Sequence, residues 1–135
     1  MTESAKSEFN SVIPPGKTIL LADDDEFSVL LIRTICMKHN ISFLSAENGQ
    51  KAFEMAIAND IDLILTDINM PVLSGLDFSR NLQATPEISC IPVIAVTANI
   101  MVDDLKRISE AGFSEILFKP FREKDFIEKI SLFLQ

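Results

Sequence analysis

The sequence lacks the features that place a chain in a membrane or on nucleic acid. Its apolar runs, such as residues 18–22 and 91–96, are far too short to span a bilayer, and the N-terminus has no apolar segment of the signal-peptide kind. Lys and Arg number 12 against 20 Asp and Glu, without the clustering that phosphate backbones require. We therefore expect a cytoplasmic protein with no membrane insertion and no direct nucleic-acid partner. The formal net charge of −8 favours a cation or a basic protein surface.

Cysteine and histidine are also scarce. Cys36 and Cys90 lie in apolar segments without CxxC spacing or a nearby His cluster, so we expect small buried hydrophobic residues rather than a disulfide or a metal site. This usage fits a reducing compartment. The only histidine, His39, is expected to close the first helix and to face solvent or the helix dipole.

The chain has the length of one domain, 135 residues. Residues 1–17 include Pro14, Pro15 and Gly16 and show no sustained period, which predicts a flexible N-terminal arm ahead of a folded domain at 18–135. From Thr18 onwards, short apolar runs alternate with longer segments of helical period. This alternation is typical of βα units around a parallel sheet.

Five strands and five helices are predicted from this alternation. The strands fall at residues 18–22, 41–45, 62–66, 92–96 and 115–118. The helices fall at about residues 26–39, 48–59, 75–82, 100–111 and 123–133. Five βα units favour an open, doubly wound α/β sandwich around a parallel five-stranded sheet, because a closed barrel needs eight units.

Acidic, hydroxyl and amine side chains follow four of the predicted strands. In chain order they are Asp23 to Asp25 in the stretch LLADDDE, then Asp67, Thr97 and Lys119. Taken singly, each has an ordinary explanation, such as a helix N-cap or a lysine that points into water. Together they predict one site, because ligands of such sheets bind outside the carboxyl ends of the strands.

Carboxylates gathered at one place need a counter-charge. Two of them about 4 Å apart repel by roughly 4 kcal/mol at an effective dielectric near 20, so one takes up a proton or a cation sits among them. Without His or Cys nearby, oxygen ligands indicate Mg²⁺, Mn²⁺ or Ca²⁺. Asp23, Asp24 and Asp67 suit Mg²⁺ better than a calcium loop, whose signature is missing.

Asp67 is also the best candidate for a nucleophile. It ends DLILTD, the most apolar predicted strand, and a carboxylate can attack phosphorus to form an aspartyl phosphate. Such a transfer needs neutralisation of the phosphoryl oxygens and in-line positioning, which the Lys119 ammonium and the Thr97 hydroxyl would supply. Pro120 restricts Lys119 and would aim it inward.

These residues form an ordered set of motifs. LLADDDE, DLILTDINMP, IPVIAVTAN and LFKPF, in this order and with these separations, closely resemble the receiver domain of two-component response regulators. The resemblance covers essentially residues 18–134, and SAENGQKAFEMA and GLDFSRNL are similar to the second and third helices of that family.

The resemblance implies a flavodoxin-like fold with strand order 2-1-3-4-5. It implies that Asp67 accepts phosphate from a phosphohistidine on a histidine kinase or a histidine phosphotransfer protein. Asp23 and Asp24 would hold Mg²⁺, or Mn²⁺, with Asp67 and the backbone carbonyl of Asn69. Such a domain is a phosphoacceptor in a phosphorelay and not a turnover enzyme.

The resemblance also implies how phosphate is held and read. Thr97 and Lys119 would contact the phosphoryl oxygens, and Ala98 would leave room for them. Thr97 would move toward phosphate and change an interaction surface around the fourth helix, fifth strand and fifth helix. Family members often carry an aromatic switch residue three positions before the lysine. That position is Ile116, which does not fit an aromatic switch.

The first predicted helix is more apolar than one buried face requires. Its stripe comprises Ser28, Leu31, Ile32, Ile35 and Cys36. Phe27 and Leu30 lie largely off this stripe. Either the helix is wedged deep in the core or carries scattered surface hydrophobes, or Phe27 and Leu30 dock on the helical bundle that carries the donor histidine.

Two other functions remain open at this point. Asp23-x-Asp25 after a strand also resembles the DxD motif of haloacid-dehalogenase-like Mg²⁺-dependent phosphatases, although Phe27 stands where those enzymes have Thr or Val. Alternatively, the chain is a vestigial pseudo-receiver that acts only as an interaction module.

Overall fold

A computed structural model describes residues 13–98 and 102–135 of the chain. Most of the predicted N-terminal arm, residues 1–12, lies outside the described residues. So does the predicted start of the fourth helix at residues 100–101. No described helix is both long and apolar enough to cross a lipid bilayer.

Five strands and five helices alternate along the described chain. The strands are β1 (Thr18–Ala22), β2 (Ser42–Ala46), β3 (Leu63–Thr66), β4 (Val93–Thr97) and β5 (Glu115–Phe118). The helices are α1 (Glu26–Lys38), α2 (Gly49–Ala58), α3 (Gly75–Gln83), α4 (Val102–Glu110) and α5 (Glu123–Ser131). All strand pairs are parallel, and their order is β2-β1-β3-β4-β5. The predicted doubly wound α/β sandwich and its strand order are confirmed.

The central strands are covered on both faces. Because side chains alternate along a strand, Leu63 and Leu65 of β3 pack with α1 and α5, whereas Ile64 packs with α2 and α3. A third cluster joins Ala95 of β4 to Ile108 of α4. Every residue of β1 after Thr18, and all of β3 and β4, is buried. This explains why these strands read as continuous apolar runs in the sequence.

The register of the sheet aligns the polar residues that follow the strands. Ala22 of β1 pairs with Thr66 of β3, so Asp23 and Asp67 both stand one residue beyond the last paired position. The Asp67 N–H donates to the Ala22 carbonyl at 2.9 Å. Between β4 and β5, the Lys119 N–H donates to the Thr97 carbonyl at 2.9 Å. Backbone pairing alone therefore brings these residues to one edge.

Most element bounds differ from the prediction by one or two residues. β2 begins at Ser42 rather than at residue 41, because the Ile41 N–H donates to the Cys36 carbonyl at the end of α1. The N-cap of α2 is Asn48, whose side chain accepts from the Lys51 N–H at 2.9 Å. The helix therefore starts one residue later than predicted.

The expectation that both cysteines are buried is wrong for Cys90. Cys90 is exposed, because it follows α3 in a turn-rich connection rather than in a buried element. Cys36 is buried, and its burial raises the pKa of its thiol to about 12.

His39 closes α1 as predicted, since it is the C-cap residue of that helix. Its side chain is only 10% exposed and therefore does not face solvent, and its Nε2 lies 3.1 Å from the Glu123 carboxylate of α5.

Helix α1 is not wedged into the core. Phe27 and Leu30 are 72% and 58% exposed, and Met37 is exposed at the other end of the helix. The buried stripe consists of Ser28, Ile32, Ile35 and Cys36, as predicted apart from the half-buried Leu31. Phe27 and Leu30 therefore present free apolar surface.

The central strand is expected to carry much of the stability. Ile64→Ala should lower the free energy of unfolding by about 2–5 kcal/mol, because it opens a cavity between β3 and α3 where Ile64 is fully buried. Ile57→Ala is the matched control, since Ile57 is 57% exposed on α2, and it should change stability by less than about 0.5 kcal/mol. Urea denaturation measures both. Equal losses would contradict this assignment of the core.

Candidate functional site

Three carboxylates meet at the carboxyl edge of the sheet. Asp23 follows β1, Asp24 is next to it, and Asp67 follows β3. One oxygen of each lies within 4.8 Å of the others. Asp23 is buried, Asp67 is half-buried and Asp24 is exposed. The structure thus brings together the three acids that the sequence predicts as a metal site.

Asp23 is fixed by the backbone around it. Its N–H donates to the Ala46 carbonyl of β2 at 3.0 Å, and its Oδ1 accepts from the Asp25 N–H at 2.9 Å. Its Oδ2 accepts from Lys119 Nζ at 3.0 Å. The carboxylate is fully buried, so these hydrogen bonds and this ion pair replace its lost hydration.

Asp25 belongs to helix α1 and not to the cluster. As N-cap, it accepts from the Phe27 N–H at 3.2 Å and from the Ser28 hydroxyl at 2.8 Å. The Ser28 hydrogen bond is the main reason why the pKa of the Asp25 carboxyl lies below its usual range. The acidic run after β1 therefore divides into a pair at the site and a cap on the helix.

Asp67 sits at the centre of the edge. Its Oδ1 accepts from the Asn69 N–H at 3.2 Å, and its Oδ2 lies 3.8 Å from Lys119 Nζ. Burial raises the pKa of its carboxyl, Lys119 opposes this shift, and the Asp23 carboxylate adds to it. Asp67 is therefore a partly desolvated carboxylate held close to one cation.

The loop after β3 approaches the backbone of two glycines closely, and the sequence pattern did not link either glycine to the site. A Cβ on Gly75 would lie 2.1 Å from the Asp67 carbonyl oxygen, and one on Gly49 would lie 2.5 Å from the Leu73 carbonyl oxygen. Glycine at the start of two helices, where alanine has the better helix propensity, is the signal that could have indicated these close approaches.

The same loop contains a strained turn. The Leu73 N–H donates to the Pro71 carbonyl at 2.7 Å across Val72, whose φ is +69°. This is a γ-turn of the rare type, at a β-branched residue that disfavours positive φ. The turn, together with the Gly75 N–H bond to the Ile68 carbonyl at 2.9 Å, folds the chain tightly behind Asp67.

Lys119 follows β5 and reaches the acidic cluster from that end of the sheet. Its side chain is only 17% exposed and lies between Asp23 and Asp67. The Lys119–Pro120 peptide bond is cis. Thr97 ends β4 and is buried, and Ala98 follows it on the surface. Ala98 and Lys119 line a cavity of about 210 Å³ beside Phe27.

The remaining predicted residues lie around this centre. Asn69 is exposed, and its N–H bonds to Asp67 as described above. Ile116 is half-buried on β5 and packs against the cluster formed by α3, α4 and β4. Its carbonyl accepts from Lys129 Nζ of α5 at 2.8 Å. Ile116 thus lies in the sheet three residues before Lys119, packed against this cluster and bonded to α5.

The donor set of the cluster fits a magnesium ion. Its members supply carboxylate oxygens only, which are the ligands that Mg²⁺ prefers, and the described residues place no histidine or cysteine in the cluster. Counting Lys119, the cluster carries three negative charges and one positive charge when its carboxyls are ionised. A divalent cation would balance the remainder.

Comparisons with known proteins assign this α/β fold, with its acidic cluster at the carboxyl edge of the sheet, to one family of signalling domains. The family model of the response regulator receiver domain matches residues 19–131. The polar-differentiation response regulator DivK of Brucella anthropi is 35% identical over 118 residues, which are 87% of this chain and 96% of DivK. This chain belongs to the response regulator receiver domain family, whose members act in two-component signalling.

Solved structures share the fold. The receiver domain of the sensor histidine kinase PA1611 from Pseudomonas aeruginosa, with a magnesium ion coordinated in its active-site cleft, is 27% identical with a TM-score of 0.82, covering 88% of this chain and 98% of that one. The receiver domain of Saccharomyces cerevisiae Ssk1, crystallised with the histidine phosphotransfer protein Ypd1, is 23% identical with a TM-score of 0.83 and 91% coverage of both chains. The latter shows similarity of fold alone.

The two rival functions are not favoured. A dehalogenase-like phosphatase would use Asp23 and Asp25 together, whereas Asp25 is committed to capping α1. The family match over residues 19–131 also assigns the chain to the receiver domain family and not to these phosphatases. A vestigial receiver would be expected to have lost part of its polar set, but the acids, the threonine and the lysine are all present at the sheet edge.

The raised pKa of Asp67 predicts a pH dependence of stability. Between the ordinary aspartate pKa of 3.8 and its raised value, the folded state holds the proton more tightly than the unfolded state, so the stability contributed by Asp67 falls as the pH rises. In metal-free buffer, Asp67→Asn should therefore be more stable than wild type at neutral pH, and the difference should shrink on acidification. Urea denaturation at several pH values measures this.

Asp60→Asn is the control for that series, because Asp60 is exposed and outside the cluster. Its difference from wild type should stay flat over the same pH range. A variant Asp67→Asn that is less stable than wild type at neutral pH would contradict the desolvation argument.

Proposed function

We propose that this chain is the phosphoacceptor of a two-component phosphorelay and that Asp67 receives a phosphoryl group from a phosphohistidine on a histidine kinase or a histidine phosphotransfer protein. The observation that carries the proposal is the position of the Asp67 carboxylate, which has an oxygen within 4.8 Å of oxygens of Asp23 and Asp24 and lies 3.8 Å from Lys119 Nζ. A nucleophile beside both a cation site and an ammonium group is arranged for phosphoryl transfer.

In the transfer, a carboxylate oxygen of Asp67 forms a bond to phosphorus. The bond between phosphorus and the donor histidine nitrogen breaks, and that nitrogen keeps the electron pair. Lys119 would donate hydrogen bonds to the phosphoryl oxygens, and the Thr97 hydroxyl at the end of β4 would donate another. Ala98 has a side chain small enough to leave space for the group.

Asp23, Asp24, Asp67 and the backbone carbonyl of Asn69 would hold Mg²⁺, with Mn²⁺ as a substitute. The oxygen-only cluster supports this ligand set, as does the magnesium ion in the cleft of the PA1611 receiver domain. When bound, the cation would neutralise charge on the phosphoryl oxygens. The two acids differ in their surroundings. Asp23 is buried and is fixed by a backbone N–H and Lys119, whereas Asp24 is exposed to solvent.

The remaining parts of the proposal concern the chain as a whole. Residues 18–135 would form the receiver domain of a cytoplasmic protein that makes no nucleic-acid contact of its own. Residues 13–17 lie against this domain rather than in a flexible arm, because Ile13 packs against its core and the Lys17 carbonyl accepts from the Ser42 N–H at 2.9 Å. It is phosphorylated once for each signal and is not a turnover enzyme. Phosphorylation would alter the surface around α4, β5 and α5, with the aliphatic Ile116 in place of an aromatic switch. Its contacts with α3 and α4 give it a route to that surface.

The direct test uses acetyl phosphate with Mg²⁺ and intact-mass measurement. Wild type should gain the mass of one phosphoryl group, which hydroxylamine removes, and chelation of Mg²⁺ should prevent labelling. Asp67→Asn should remain unlabelled, because it lacks the nucleophile. The control Asp77→Asn, an exposed acid on α3, should be labelled like wild type. Labelling of Asp67→Asn, or turnover of phosphate monoesters, would refute the proposal.

Phe27 and Leu30 are proposed to dock the phosphate donor. Both are exposed on α1, and Leu30 borders an acidic groove beside Asp24 while Phe27 borders the cavity beside Lys119. They thus flank the site on two sides. Exposed apolar residues in such a position are suited to bury against a helical bundle as the donor histidine approaches Asp67.

The double variant Phe27→Ala, Leu30→Ala should slow phosphoryl transfer from the cognate phosphohistidine protein by at least about tenfold, because each truncation removes apolar area from the contact. Labelling by acetyl phosphate should stay at the wild-type rate, since the small donor needs no docking. Met37→Ala is the matched control at the far end of α1, where Met37 is 68% exposed. Rapid-quench measurement of transfer would refute the docking role if the double variant kept the wild-type rate.

A further inference from the structure

Thr66 is the last residue of β3 and lies directly before Asp67. It is fully buried, and its hydroxyl donates to the Asp67 carbonyl at 2.8 Å. On the neighbouring strands it pairs with Ala22 and Ala95, whose side chains are single methyl groups. A hydroxyl in such an apolar setting needs a hydrogen-bond partner, and here the partner is the backbone of the proposed nucleophile.

The backbone of Asp67 is held at both of its peptide groups. Its N–H donates to the Ala22 carbonyl of β1 at 2.9 Å, which fixes the peptide group before it. Its carbonyl accepts from Thr66 and lies against Gly75, where a Cβ would be only 2.1 Å from the carbonyl oxygen. The hydroxyl therefore fixes the peptide group after Asp67. Because φ and ψ are the only soft backbone angles of a residue, these two bonds set the direction in which the carboxylate leaves the backbone.

The carboxylate of Asp67 is held less firmly than its backbone. Its Oδ1 accepts from the Asn69 N–H at 3.2 Å, which is at the long end of hydrogen-bond distances, and its Oδ2 lies 3.8 Å from Lys119 Nζ, which is beyond them. Asp23, by comparison, accepts two hydrogen bonds of 2.9 and 3.0 Å. The position of the Asp67 carboxylate therefore depends largely on the orientation of its own backbone.

We propose that Thr66 is a positioning residue for phosphoryl transfer, because its hydroxyl holds the peptide group after Asp67 and so aims the Asp67 carboxylate at phosphorus. The inference rests on the proposed phosphoacceptor role of Asp67 and deepens it. Thr66 acts through the Asp67 backbone and needs no contact with the phosphoryl group or a cation. In-line attack is sensitive to such placement, since a displacement of about 1 Å can lower a rate by about a hundredfold.

A purely structural role for Thr66 predicts a different result. If the side chain only fills the space between Ala22 and Ala95, valine fills it as well, because valine has nearly the same shape and lacks only the hydroxyl. Phosphorylation would then keep the wild-type rate. Under the positioning role, valine leaves the Asp67 carbonyl without the bond from the hydroxyl, and serine restores that bond.

The experiment measures the rate of labelling by acetyl phosphate at a Mg²⁺ concentration that saturates each variant, on protein shown to be folded by circular dichroism. Thr66→Val should be labelled about tenfold more slowly than wild type, because its reactive oxygen is less well aimed. Thr66→Ser retains the hydroxyl and should be labelled at close to the wild-type rate. Thr85→Val is the matched control. It removes a hydroxyl that donates to the Asn81 carbonyl at 2.8 Å, outside the site, and should leave the rate unchanged.

The possible results separate two failures. If acetyl phosphate does not label wild type, the proposed phosphoacceptor function is refuted and the positioning role with it. If wild type and Thr66→Val are labelled at the same rate, only the positioning role is refuted. A Thr66→Ser variant as slow as Thr66→Val would also overturn it, because the hydroxyl would not account for the loss. Should Thr66→Val not fold, Thr66→Ala takes its place in the same comparison with Thr66→Ser.

Discussion

Three carboxylates held together at the carboxyl edge of the sheet repel one another, and the site is organised around balancing that repulsion. Asp23, Asp24 and Asp67 cannot move apart, because the first and last of them are fixed by backbone hydrogen bonds that continue the strand ladders. Besides the backbone N–H groups of Asp25 and Asn69, the described chain brings one positive charge into contact with this cluster, that of Lys119 from the end of β5. One positive charge against three negative ones leaves an attraction for cations that the fold itself maintains.

The rest of the architecture serves this arrangement. Strand order β2-β1-β3-β4-β5 puts β1 and β3 side by side, so that Asp23 and Asp67 become neighbours although 44 positions separate them in the sequence. The apolar faces of these strands are buried by helices on both sides, which makes their ends rigid. Gly75 and Gly49 then let the loop after Asp67 lie against the backbone more closely than a side chain would permit. A rigid sheet edge is a suitable support for groups that must hold charge in a fixed geometry.

Much of this could be predicted from the sequence, and the limits have physical causes. The bounds of β1 and β5 were predicted correctly, and the acids, Thr97 and Lys119 were assigned to one edge because parallel strands end together. The periodicity of the sequence does not predict which distant residues come into contact. The contact between His39 and Glu123 depends on how α1 packs against α5, and the exposure of Cys90 depends on the turn in which it lies. Local apolar composition does not encode either one.

Two further features are visible only in the atomic structure. The positive φ of Val72 is invisible in sequence, because a β-branched residue argues against it, and only the tight return of the chain behind Asp67 imposes it. Likewise, the motif LFKPF predicts that Lys119 lies at the site, but it does not predict which carboxylate Lys119 approaches more closely. The distances of its Nζ, 3.0 Å to Asp23 Oδ2 and 3.8 Å to Asp67 Oδ2, show that Lys119 lies closer to Asp23.

Asp67 is proposed to be the residue to which a phosphohistidine passes its phosphoryl group. The most direct measurement is transfer from a phosphorylated histidine protein, followed by borohydride reduction, which converts the aspartyl phosphate to homoserine, and by peptide mass spectrometry. Homoserine is expected at position 67 alone. Reduction at Asp23, Asp24 or any other acid, with Asp67 intact, would contradict it.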